Sequence, residues 1–240
     1  MKKKILMVVG IIAFLFVTLI AYLVINDLRE EKKLKQELNE ITELVTDSKA
    51  DMQEVRNKLD TIVTKDDYAK VEKAAKRYLS DAFDNIVDMA VLLQDEKMAD
   101  ILTVSNYNED GPDFLRTKKY INDTKESLAE CRDKYYEYFT EEKALSYIDT
   151  KNLDNYYIDF YKKEVIGDVS IEGKDKKIEN SINEVIKMLD DEDKIIDFLI
   201  ANKGKWNVSG NNIVFDTDEM VNEYNKMLIN AGFLEDNDNL

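Results

Sequence analysis

A run of twenty-one residues without a charged side chain, from Ile5 to Ile25, constrains this chain most. At about 1.5 Å rise per residue, a helix of this length spans about 30 Å, the thickness of a bilayer's hydrocarbon core. The run exceeds the ~7 to 15 apolar residues of a cleaved signal peptide. If the best small residue, Ala21, preceded a cleavage site, the bulky Leu19 would occupy the −3 position. It therefore predicts a retained transmembrane helix. The alternative is a cleaved signal that releases a secreted domain.

Basic residues flank the run on both sides, which makes its orientation a close decision. Lys2–Lys4 precede it, whereas Arg29, Lys32, Lys33 and Lys35 follow it. The positive-inside rule compares the basic residues on the two sides of a span, and in this chain the two counts are nearly equal. Because a four-residue lysine-rich tail is typical of a signal-anchor, we expect residues 1–4 in the cytoplasm. The rest of this single-pass membrane protein would then lie outside the cytoplasm.

The composition excludes several classes of function. A formal net charge of −16 repels phosphate backbones, so no nucleic-acid partner is expected. The chain has no histidine, which removes Ser-His-Asp and Cys-His catalysis, and its single cysteine, Cys131, cannot form an internal disulfide or a zinc cluster. Asn106, Asn108 and Asp110 echo an EF-hand, but Thr117 replaces its final glutamate. We therefore expect no metal, no cofactor and no enzymatic activity.

Scarce helix breakers indicate a mostly α fold. Pro112 is the only proline, and no glycine or proline lies between Ile11 and Asp110. After the transmembrane helix, we expect a heptad-patterned stalk helix, a long antiparallel helical hairpin, short helices and a small C-terminal β-hairpin. The predicted divisions are a cytoplasmic tail (1–4), the span (5–25), a coiled-coil-like stalk (26–63), the hairpin body (64–166) and a C-terminal unit (167–240).

The heptad pattern follows the span directly. Its apolar positions alternate in steps of three and four, interrupted only by Ser48: Leu34, Leu38, Ile41, Val45, Met52, Val55, Leu59 and Ile62. Such a seam is typical of a parallel coiled coil, which would make the protein a homo-oligomer. The same stripe could instead pack against other helices of its own chain. The sequence leaves both alternatives open.

Later elements follow from periodicity and turn residues. Thr64 with Asp67 resembles a capping box before a helix to about Val104. After a loop at 106–112, a helix over about 113–148 would bury Cys131. Shorter helices are expected over these ranges: 153–166, 174–189, 191–202 and 217–231. The last is preceded by a β-hairpin around 205–215.

Aromatic residues concentrate between Tyr135 and Tyr161 and suggest a surface that binds a partner or ligand. The candidate interaction surface consists of Tyr135, Tyr136, Tyr156, Tyr157, Tyr161 and Trp206. Clustered tyrosines can equally be core residues whose hydroxyls reach water. Together with the anchor, this pattern favours an envelope interaction or scaffold module with a protein partner. An extracytoplasmic ligand-binding or sensory module is the alternative, and a histidine-independent enzyme is a weaker one.

Overall fold

The computed structural model describes residues 29–46, 52–138, 140–167 and 176–234, and within them the fold is mostly helical. The predicted span, Ile5–Ile25, lies outside these residues, and no helix within them is long and apolar enough to cross a membrane. The α-helices are α1 Arg29–Thr46, α2 Met52–Asp60, α3 Asp66–Gln94, α4 Lys97–Asp100, α5 Val104–Asp110, α6 Leu115–Tyr138, α7 Glu141–Leu145, α8 Asn155–Tyr161, α9 Lys176–Ala201 and α10 Asp218–Asn230. A π-helix, Lys162–Ile166, continues α8, and strands β1 Trp206–Ser209 and β2 Asn212–Phe215 precede α10.

The chain forms two compact units that are not contiguous in sequence. The first unit contains the described residues up to Leu93 and those of Glu130–Glu179, and the second contains Gln94–Ala129 and the described residues from Asn180 onward. The boundary therefore crosses α6 between Ala129 and Glu130. This division differs from the predicted one, in which a body over 64–166 precedes a C-terminal unit.

In the first unit, the predicted stalk is two helices instead of one. The Lys58 side chain of α2 pairs with Glu37 of α1 at 3.4 Å and also with Glu40. In one straight helix, residues 37 and 58 would lie about 30 Å apart. Helices α1 and α2 therefore pack against each other, and the expectation of a continuous stalk helix was wrong.

Helix α3 forms the core of the first unit, where the end of α6 runs beside it in the opposite direction. Tyr78 donates a hydrogen bond to the carbonyl of Tyr138 at 2.7 Å, and Asn85 donates to the carbonyl of Cys131 at 3.0 Å. Cys131 is buried, which confirms the expectation that it is a core residue. Thr64 does not cap α3, because its hydroxyl donates to Glu72 at 2.6 Å.

Helices end earlier than the scarcity of glycine and proline predicts. Helix α3 stops at Gln94, and the Asp95 carboxylate accepts the amide of Lys97 at 3.0 Å. Thr103 then caps α5 by accepting the amide of Asn106. Residues 106–110, predicted as loop, are the end of α5, and the turn comes at 111–114.

The second unit is built on α9, with the β-hairpin and α10 following it. The predicted break near Asp190 is absent, since α9 is one helix of 26 residues. Its acidic residues pair with α6 instead: Lys125 contacts Asp190 at 2.7 Å and Lys118 contacts Asp193 at 2.8 Å. The predicted C-terminal β-hairpin is confirmed, with Trp206 opposite Phe215 in an antiparallel register.

Candidate functional site

Four aromatic rings form a cluster in the first unit, named here the tyrosine cluster: Tyr68, Tyr156, Tyr157 and Phe160. The Tyr68 ring makes edge contacts with Tyr157 at 5.1 Å and with Phe160 at 5.6 Å. Tyr156 meets Tyr157 edge-on at 5.3 Å. These are favourable geometries for aromatic pairs, so α8 is fixed against the start of α3.

Buried charges from α1 contact this cluster. The Glu31 carboxylate accepts hydrogen bonds from Tyr68 at 3.4 Å and from Tyr156 at 3.3 Å. Lys35 pairs with Glu31 at 2.9 Å and lies 3.8 Å from Glu164 on the π-helix. Its ammonium group also lies 5.8 Å from the centre of the Phe160 ring. Each buried charge thus has an opposite charge or a hydrogen-bond donor beside it, as burial of a charge requires.

The Tyr68 hydroxyl remains protonated at physiological pH. Burial raises the pKa of Tyr68 well above its usual value, and the hydrogen bond with Tyr156 and the Glu31 charge raise it further. The neutral hydroxyl can therefore act as a donor to Glu31. The arrangement positions and orients rings and offers no nucleophile.

The structure separates the predicted interaction residues into exposed and buried ones. Tyr156 is 50% exposed, and Tyr136 and Tyr157 are half-buried. Tyr135 and Tyr161 lie in the core, so their assignment to a surface was wrong. The reason is packing: the Tyr161 hydroxyl, for example, donates to the carbonyl of Ala144 at 2.9 Å.

Trp206 belongs to the second unit and is a packing residue there. Its indole nitrogen donates to the carbonyl of Leu199 at 2.7 Å, and its ring stacks on Phe114 at 5.9 Å. Tyr107 contacts the same indole edge-on at 6.2 Å. These contacts join the indole to α5, to α9 and to the turn at 111–114, and they leave its N–H unavailable to a ligand.

The heptad seam lies mostly in the core of the first unit. The buried members are Leu34, Leu38, Ile41, Val55 and Leu59. Met52 and Ile62 are 47% and 39% exposed, and the Val45 side chain lies outside the described residues. Burial within one chain is what the intramolecular alternative predicts. Homo-oligomerisation stays a prediction and would need a surface other than the buried positions.

A second buried ion network joins α1, α2 and α3. Lys76 pairs with Glu37 and with Glu72, each at 2.8 Å, and donates to the carbonyls of Lys58 at 2.9 Å and Thr61 at 2.5 Å. Burial alone would raise the pKa of Glu72, but hydrogen bonds from Lys76, Thr64 and Val63 outweigh it and lower that pKa. The network fixes helices to each other and to the 61–64 segment.

Sequence reasoning missed the residues at this site that lie far from Tyr156 along the chain. Glu31 and Lys35 look like ordinary polar positions of a heptad helix, and Tyr68 like one apolar position of α3. The only hint in the sequence that Glu31 and Lys35 face the interior is that each lies three residues before an apolar seam residue, Leu34 and Leu38 respectively.

The described ranges contain no group of three or more cysteine, aspartate or glutamate side chains arranged to hold a metal ion. Comparisons with protein families, with curated proteins and with solved structures give no match for this chain. The function must therefore be argued from the residues themselves.

Proposed function

We propose that this protein is a single-pass membrane protein whose helical part, outside the cytoplasm, is an envelope interaction or scaffold module. The observation that carries the proposal is the uncharged run Ile5–Ile25 behind three lysines, followed by a folded acidic chain. A span of this length anchors a protein without a second signal.

The contact surface proposed for a protein partner centres on Tyr156. Its ring is half exposed, whereas its hydroxyl is bonded to Glu31 and lies 3.3 Å from that of Tyr68. A ring that is already ordered loses little conformational entropy on binding, and tyrosine is enriched among residues that dominate interface energies. The half-buried Tyr157 on α8 extends the proposed surface, and the half-buried Tyr136 on α6 is the other predicted interaction residue of this unit that is not in the core.

Topology is tested by two measurements on intact cells and on membranes. Alkaline carbonate should leave the full chain in the membrane fraction, whereas a variant with Leu15→Arg and Leu19→Arg should be released or degraded. Externally added protease, after removal of any outer barrier, should digest the chain while a cytoplasmic marker survives. Release of the unaltered chain by carbonate, or protection from protease, would overturn the anchor or its orientation.

The contact surface is tested by photo-crosslinking in membranes. A benzophenone amino acid at Tyr156 should give a discrete adduct, identified by mass spectrometry and reproduced by a crosslinker placed in the partner. The matched control is the same amino acid at Asn222, which is exposed on the second unit. Equal adducts at both positions, or none at Tyr156, would contradict the proposal for this surface.

Ligand sensing is the second candidate function. The observation that favours it is that the exposed Tyr156 ring is held in place by its edge-on contact with Tyr157. An aromatic pair with one accessible face can stack a sugar or an aromatic group. Chemical-shift changes of tyrosine side chains on addition of envelope oligosaccharides would support this function. Unchanged spectra together with a Tyr156 protein adduct would favour the scaffold function.

Self-association is a further alternative for the partner. Because most seam residues are buried, a homo-oligomer would use exposed apolar residues such as Met52 and Ile62. Sedimentation of the full chain in lipid nanodiscs of defined size distinguishes one copy from several. A strict monomer at high concentration would exclude the homo-oligomer.

A further inference from the structure

The second unit contains a partly open cavity, most of whose lining residues are apolar. Its volume is about 250 Å³, and its walls include Ala99, Leu102, Leu228 and Phe233. Two polar side chains, Glu192 and Tyr224, also line it. An engineered cavity of about 150 Å³ already admits benzene, so this one has room for an aromatic ring with a short substituent.

Glu192 has no hydrogen-bond partner for one carboxyl oxygen. It lies within α9, is 1% exposed, and its Oε2 atom contacts no donor in the described part of the chain. The other polar group, the Tyr224 hydroxyl, is already paired with the Tyr107 hydroxyl at 2.7 Å. The neighbouring Asp193 is engaged by Lys118. A buried carboxyl oxygen without a hydrogen-bond partner is costly and is therefore rare in native proteins. A bound molecule that supplies the donor would remove that cost.

We propose that this cavity binds a small apolar molecule that carries one primary ammonium group, with its carbon skeleton in the cavity and its ammonium on Glu192. An ammonium supplies the hydrogen-bond donors and the opposite charge that the lining lacks. The formal net charge of −16 also favours the approach of cations over anions.

The ionisation of Glu192 gives the site a pH dependence. Burial raises the pKa of Glu192 to about 8. The titratable groups around it are Tyr107 on α5, Tyr120 on α6 and Tyr224 on α10, and burial raises the pKa of each, so all three are neutral in this range. Because the ammonium pairs with the carboxylate form, its affinity should increase on the order of 50-fold from pH 6 to pH 8.

The probe is 4-fluorobenzylamine, titrated into the full chain in lipid nanodiscs and followed by ¹⁹F NMR. Its neutral counterpart is 4-fluorobenzyl alcohol, which fills the same volume without a charge. At pH 8 the amine should bind at least tenfold more tightly than the alcohol. Empty nanodiscs correct for partition of either probe into lipid.

Two variants separate the cavity from the general acidity of the chain. Glu192→Gln should abolish the preference for the amine, whereas Glu184→Gln, which changes an exposed position of the same helix, should retain it. Circular dichroism and Trp206 fluorescence confirm that each variant is folded.

The proposal is overturned by equal affinities for amine and alcohol, by unchanged amine binding in Glu192→Gln, or by the absence of saturable binding. If Glu192→Gln does not fold, the pH series on the unaltered chain decides. An amine affinity that is flat between pH 6 and pH 8 then contradicts the proposal, and a rise toward pH 8 that the alcohol does not share supports it.

Discussion

Lys76 and Glu72 lie one helical turn apart on α3, and their charged groups meet at 2.8 Å where both side chains are buried. Glu37 of α1 contacts the same ammonium at 2.8 Å, so one lysine neutralises two carboxylates. Attraction across a buried pair roughly offsets the cost of desolvating both charges, but removal of one partner leaves that cost uncompensated.

Lys76→Met should therefore lower the free energy of unfolding by about 3 to 5 kcal/mol. Denaturant titration followed by circular dichroism measures the change. The matched control is Lys70→Met on the same helix, because Lys70 pairs with Asp67 at 2.7 Å on the surface. Its effect should be much smaller, and equal losses in the two variants would contradict the role assigned to the buried network.

Acid should weaken the same network through Glu72. Since the pKa of Glu72 is lowered on folding, its contribution is present above the ordinary carboxyl value of ~4.3 and is lost as the pH falls through the lowered value. The unaltered chain should thus exceed Glu72→Gln in stability at pH 7, and the gap should narrow below about pH 4. A gap that is independent of pH would show that Glu72 contributes by packing alone.

The contribution of Glu192 to stability should depend on pH in the opposite direction to that of Glu72. Its pKa rises from 4.5 to about 8 on folding, so its favourable contribution is complete below 4.5 and is lost as the pH rises toward 8. Without a bound cation, Glu192→Gln should raise the free energy of unfolding at pH 7 by about 3 kcal/mol more than it does at pH 4. Unfolding followed by Trp206 fluorescence at both pH values tests this. The control, Glu184→Gln, should leave the free energy of unfolding unchanged at both.

Gly111 is required because its backbone approaches other groups closely. A Cβ atom at this position would lie 2.4 Å from the carbonyl oxygen of Tyr107 and 3.0 Å from the Trp206 ring. Gly111→Ala should therefore destabilise the second unit by about 1 to 3 kcal/mol and change the Trp206 emission spectrum. At Gly204, where φ is +81°, an alanine strains the backbone, but its Cβ atom would meet nothing within 4 Å. Gly204→Ala should therefore lower stability through the backbone and leave the Trp206 emission spectrum of the folded chain unchanged.

Much of the helical content was predictable from periodicity and from the scarcity of glycine and proline, and so was the terminal β-hairpin. The breaks were not, because Asp95 and Thr103 end and start helices with their side chains, which the absence of glycine and proline cannot reveal. Conversely, the acidic residues around Asp190 resemble a helix start but pair with lysines of α6. Such partners are distant in the sequence.

The candidate site was only partly predictable for the same reason. Tyr156 was predicted as an interaction residue, and the structure shows that it is exposed. Glu31 and Tyr68, which contact its hydroxyl, are 125 and 88 residues away along the chain. The heptad seam specified which residues are apolar. It could not specify whether a second copy or the same chain covers them.

The single tryptophan and the single cysteine fall in different units, Trp206 in the second and Cys131 in the first. The indole emits light that reports its packing against Phe114, and the buried thiol, whose pKa burial raises, reacts with a probe only when its surroundings open. The natural chain thus carries one spectroscopic and one chemical reporter, one per unit. Loss of structure in either half can be timed separately without adding a label or changing a residue.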